Sequence, residues 1–183
     1  MEKNNNKTYW PHMILGFLII GLTLGYWTVK SASSIPVQEV NKYMLKYQKA
    51  DLGINEILEK KQAFDKVYTI ALKNVKMMVM TDNVNSNLPQ PNVIQLVKGE
   101  NQFSYIVSKK DGTVVNDANV SFLLTRPHTV NDDVMIEQVP SNNGVYRTPV
   151  IDIEKPGRYT LQCRVKINDN EIGYSELPAY LKP

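Results

Sequence analysis

The chain has 183 residues, a formal net charge of +3, two histidines and one cysteine. A single cysteine excludes an intrachain disulfide, and the length leaves room for one soluble domain of ordinary size beside any anchor. The first 73 residues hold ten lysines against six acids, whereas the rest is close to neutral, so no basic nucleic-acid footprint is present.

The first element runs from Trp10 to Val29, WPHMILGFLIIGLTLGYWTV, without a formal charge. At 1.5 Å per residue, about 20 residues cross roughly 30 Å of hydrocarbon. Tyr9 and Trp10 at one end and Tyr26 and Trp27 at the other suit the two headgroup layers. The run predicts a single transmembrane helix at 10–29. Ser31-Ala32-Ser33 resembles a peptidase site, but a secretory apolar region is shorter and does not end in aromatics. Lys3 and Lys7 on the arm at 1–9 favour a cytoplasmic N-terminus and an exported C-terminal part. Gly21 and Gly25 lie four apart on one face, a spacing that lets another helix approach, and they are candidate partner-binding residues.

A polar connector, Ser31 to Pro36, leads into a stretch expected to be helical over 37–71. Val40, Tyr43, Tyr47, Ala50, Ile54, Ile57 and Phe64 recur at three and four, with Lys61 interrupting them. Such a stripe packs on the chain's own domain or on a partner. Gly53 is expected to end one helix and Asn55 to cap the next.

The rest, 75–183, reads as strands between turns. After the apolar run at Val75–Met80 and a loop of Asn, Ser and Pro, strands are expected near 93–97, 102–108, 119–124, 135–139, 145–153, 158–167 and 172–180. Tyr159, Leu161, Cys163, Val165 and Ile167 alternate on one face, which makes Cys163 a core residue. Gly144-Val145-Tyr146 and Gly157-Arg158-Tyr159 each follow a turn. They resemble tyrosine corners of immunoglobulin-like sandwiches, in which the hydroxyl returns to nearby backbone. The fold class is therefore α+β: one transmembrane helix, an amphipathic juxtamembrane segment, then an all-β immunoglobulin-like sandwich.

Chemistry has few candidates. A nucleophilic site would have to pair Cys163 or a serine with His128, near Asp132 and Asp133, and nothing in the pattern joins them. Met77, Met78, Met80, Met135, His128 and Cys163 are ligand types that suit Cu(I), without a spacing that assembles a site; Met77–Met80 read more simply as apolar packing. No catalytic, cofactor or metal residue is assigned.

Taken together, the residues resemble the FixH family, also called CcoH. The resemblance starts with Trp10-Pro11 at the helix start and Asn41–Glu59. It continues with Asp111-Gly112, Ala118-Asn119-Val120, Thr125-Arg126-Pro127, Gly144-Val145-Tyr146 and Pro156-Gly157-Arg158-Tyr159 in that order. Members typically have an aromatic pair in the juxtamembrane helix, whereas Tyr43 and Tyr47 are four apart here, and the loop at 81–92 is long. The resemblance implies a bacterial inner-membrane accessory protein for assembly of cbb(3)-type haem–copper cytochrome c oxidase. Such a protein contacts an integral-membrane oxidase subunit, binds no cofactor, small-molecule substrate or nucleic acid, and does no chemistry. Tyr43 and Tyr47 join Gly21 and Gly25 as candidate contact residues. The alternatives are a tethered periplasmic copper-handling domain and a generic sandwich interaction module.

Overall fold

The structure, a computed structural model, describes residues 9–34, 44, 53–82, 87–127 and 129–183. The chain divides into two compact units, Met1–Val37 and Gln38–Pro183.

In the first unit, α1 spans Trp10–Ser34. The helix outruns the expected 10–29 and takes in four of the six residues of the expected connector, because nothing in Lys30-Ser31-Ala32-Ser33 breaks a helix and Ser33 Oγ donates to the Lys30 carbonyl at 3.1 Å. Trp10–Ser33 is long and apolar enough to cross a membrane. Its two threonine hydroxyls are satisfied within the helix: Thr23 Oγ1 donates to the Ile19 and Ile20 carbonyls at 2.9 Å and Thr28 Oγ1 to the Leu24 carbonyl at 2.7 Å. That matters in hydrocarbon, where no water is available to them.

In the second unit, α2 spans Ile54–Val67 and runs without a loop into β1, Tyr68–Lys73. The expected helix to 71 is thus four residues too long. Tyr68, Thr69 and Ile70 are β-formers, and the antiparallel register Tyr68↔Lys109 to Lys73↔Ser104 against the strand Ser104–Lys109 takes over the backbone bonds. Tyr68, Ile70 and Leu72 then alternate onto the core. Gly53 is the N-cap of α2, its carbonyl accepting the Ile57 amide at 3.0 Å, and Asn55 lies inside the first turn rather than capping it. Phe64 on the α2 stripe is 1% exposed and belongs to the core, so the described part of the stripe packs on its own domain. Residues 45–52, Tyr43 and the start of the stripe lie outside the described residues.

The remaining strands are β2 (Met77–Val79), β3 (Asn92–Leu96), β4 (Gly99–Asn101), β5 (Ser104–Lys109), β6 (Asn119–Arg126), β7 (Thr129–Ile136), β8 (Ser141–Asn142), β9 (Val145–Arg147), β10 (Ile151–Ile153), β11 (Gly157–Asn168) and β12 (Glu171–Leu181). They build a four-stranded sheet ordered β1-β5-β9-β8, a six-stranded sheet ordered β2-β3-β12-β11-β6-β7, and a small β10-β4 pair. All described pairings are antiparallel except β12 with β3.

The core lies between the sheets. Val120, Phe122, Leu124, Leu161, Cys163 and Val165 of the larger sheet meet Phe103, Tyr105, Val107 and Tyr146. Phe103 and Phe122 stack with ring centroids 5.3 Å apart. A methyl on Gly173 would overlap the Phe64 ring, so glycine there lets α2 close onto β12.

Two strand expectations change. The strand expected at 145–153 is two, because Pro149 has no amide to offer a ladder and Thr148 turns aside, its Oγ1 accepting the Phe103 amide at 3.0 Å. The strand expected at 135–139 starts at Thr129 instead, since β6 and β7 form a tight hairpin that pairs as far as Arg126↔Thr129. Asp132 and Asp133 are therefore strand residues.

Candidate contact sites

Among the residues read as contact candidates, Gly21 and Gly25 are described, and both are exposed on α1. A side-chain carbon added at either would meet nothing within 4 Å, so this strip of helix surface is unfilled. Tyr43 and Tyr47 lie outside the described residues, as does His128.

Cys163 sits mid-strand on β11, 1% exposed, opposite Phe122 on β6 and Ser175 on β12. Burial pushes its thiol up to about 12, which keeps it protonated and a poor nucleophile at neutral pH. The Tyr105 hydroxyl makes no hydrogen bond and is raised well above its ordinary range, by burial first and then by Cys163.

The sulfur ligands considered for copper do not converge. Met77 and Met78 are on β2 and Met135 on β7, at opposite edges of the six-stranded sheet, with Cys163 in the core between them. Among the described residues no group of three His, Cys, Asp or Glu could hold a metal ion.

Four of the β-domain motifs quoted for the family resemblance meet in two pairs. Tyr146 donates its hydroxyl to the Val115 carbonyl at 3.0 Å and accepts the Ala118 amide at 2.9 Å, joining Gly144-Val145-Tyr146 to Ala118-Asn119-Val120. Gly144 has φ +76, and a side chain there would strike Val114 and Asn116.

Thr125-Arg126-Pro127 joins Pro156-Gly157-Arg158-Tyr159 in the same way. Arg126 Nη2 donates to the Pro156 carbonyl at 2.9 Å, and its guanidinium lies 5.1 Å from the Tyr159 ring centroid. The Tyr159 hydroxyl returns to the Lys155 carbonyl at 2.6 Å, the local return expected of a tyrosine corner. Tyr146 differs, since its hydroxyl crosses to a distant loop.

Asp132 completes the second cluster, with Lys155 Nζ at 2.6 Å and Arg126 Nη1 at 3.4 Å. The bond from Lys155 holds the Asp132 carboxyl below its ordinary value, against a smaller opposing effect of burial. These polar groups bond to one another, so the cluster is a clasp between β6, β7 and the start of β11. Sequence reasoning named Arg126 within a motif of the family resemblance and Asp132 as a neighbour of His128, and missed the clasp that joins them. The useful signal was the pair of Arg-Pro and Pro-Gly-Arg-Tyr motifs at the two ends of paired strands.

Residues 79–164 match the family model described as YtkA-like. The match runs from the end of β2 into β11 and covers most of the sandwich. No curated protein matches the chain.

Proposed function

We propose that the protein is a membrane-anchored accessory factor for assembly or stability of a cbb(3)-type haem–copper cytochrome c oxidase. It acts by protein contact and does no chemistry, with its N-terminus in the cytoplasm and its sandwich on the outer side of a bacterial inner membrane. The observation that carries this reading is the joining of the FixH-type motifs, Ala118 to Tyr146 and Arg126 to Pro156 and Tyr159, in one sandwich. The YtkA-like match supports it, because that family is related to FixH-like periplasmic domains. The unfilled strip at Gly21 and Gly25 suits close approach of a helix from an integral-membrane oxidase subunit.

The test is a mild-detergent pull-down of the full chain with haem spectroscopy of the eluate. Co-purification of oxidase haem, weakened by Gly21→Leu with Gly25→Leu, is expected. An eluate without haem, together with normal oxidase activity in a deletion strain, would sink the oxidase reading and leave a general interaction module. Copper binding at micromolar concentration would move the protein to the metal-handling class.

A further inference from the structure

The edge of the six-stranded sheet at β2 holds a pattern that the contacts above do not use. Met77 is 59% exposed and Val79 54%, and both project on the side of β2 that faces the core in β3. Edge strands usually carry protection against pairing, such as charge, proline or a bulge. The opposite edge, β7, has Asp132 and Asp133. Strand β2 is Met-Met-Val, with no charge and no proline, in unbroken register with β3.

Its backbone directions follow from two bonds. The Lys76 carbonyl accepts the Gln95 amide at 2.8 Å, and the Met80 amide donates to the Pro91 carbonyl at 3.1 Å. Residues 76 and 80 thus point their backbone groups toward β3. Because these groups alternate along a strand, those of Met77 and Val79 point away from the sheet.

We infer that β2 pairs with β2 of a second copy of this chain, antiparallel and centred on Met78. In that register Met77 of each copy lies opposite Val79 of the other, and all four outward-pointing residues form hydrogen-bonded pairs. The two exposed Met77 and the two exposed Val79 then share one face and cover one another. Centring on 77 or 79 instead would leave half of the outward groups unpaired. A copy of the same edge is the occupant because an uncharged apolar strip complements itself. Three residues per copy bury much less than the ~1,200 Å² of a stable soluble interface. Confinement of both copies by α1 in one membrane raises their effective concentration and makes the pairing possible. The inference requires the anchor and is independent of the oxidase.

At the centre, Met78 would face Met78 of the second copy as a non-hydrogen-bonded pair, about 4.5 Å between Cα atoms. That lies within the ~4.4–6.8 Å that a disulfide spans. The experiment places Met78→Cys in the full chain in membranes, with mild oxidation by copper phenanthroline; Cys163 is buried and stays out of reach. Met78→Cys is expected to give about tenfold more covalent dimer than Met135→Cys on the opposite edge. Adding Val79→Pro removes an outward amide while sparing the β2–β3 ladder, so the dimer should fall to the Met135→Cys level with the domain still folded by thermal melting. Val79→Lys is the second variant, and like charges across the axis should have the same effect. Equal cross-linking from both edges, no dimer from Met78→Cys, or a dimer unchanged by both Val79 variants would overturn the pairing.

Discussion

Helix α1 and the sandwich use the same residue types in opposite ways. In α1, Phe17, Leu22, Tyr26 and Trp27 all point outward, and no side chain of its span is buried. In the sandwich, Tyr105, Phe122, Leu161 and Val165 are fully enclosed. For a helix long and apolar enough to cross a membrane, lipid would take the place of a core, and its apolar residues would hold position there and not a fold. The same substitution should therefore register in different measurements on the two sides.

The largest contrast is expected from Phe64→Ala against Phe17→Ala. Emptying the Phe64 site should cost the domain about 3–5 kcal/mol in chemical denaturation. Phe17→Ala should leave that transition where it was. Equal effects would show that α1 contributes to the domain's stability.

Glycines sharpen the comparison next. Gly173→Ala forces a methyl into the Phe64 ring and should cost about 1–3 kcal/mol as overpacking. Gly21→Ala with Gly25→Ala, which meet open space, should not move the melting temperature.

Within the sandwich the two tyrosines separate. Tyr146→Phe leaves the Ala118 amide without its acceptor and should cost about 1–3 kcal/mol; Tyr159→Phe removes a single bond and should cost about 0.5–1.5 kcal/mol. Reversed magnitudes in thermal unfolding would mean that the local corner, not the cross-loop link, organises the domain.

The smallest effect is electrostatic. Bonds from Arg158 and Lys155 hold Asp82 and Asp132 below their ordinary values. Folded-state values depressed in this way give stability that is complete above the unfolded carboxylate range near pH 4 and is lost as pH falls through the lower folded values. Acid melts should show stability falling below about pH 4, and Asp82→Asn with Asp132→Asn should flatten that fall. A double variant with an unchanged acid slope would remove these pairs from the explanation.

Much of the fold was legible where a pattern is local. The uncharged run revealed α1, and strict alternation placed Cys163 inward. Turn residues mark strand limits: Asp111 Oδ1 accepts the Thr113 amide at 2.8 Å, and Asn168 Oδ1 accepts the Asn170 amide at 2.9 Å. Residues 68–71 were not legible, because helix and strand periods overlap over so short an apolar run and pairing with β5 decided between them. Nor was the break after Arg147, where β9 and β10 leave for different sheets. Of the candidate contacts, the Gly21 and Gly25 strip was readable from spacing. The Arg126 clasp was not, since its members come from three strands.

The sequence alone determined that a long apolar helix precedes a mostly β domain, because hydrophobic length and alternation are properties of consecutive residues. Only the tertiary structure decided that Met77 and Met135 stand at opposite edges, that Tyr146 reaches Ala118, and that β2 is an edge without a second partner among the described strands while β7 is charged. Strand order sets those relations, and strand order comes from which backbone groups find partners across the chain, information that no window of neighbouring residues contains.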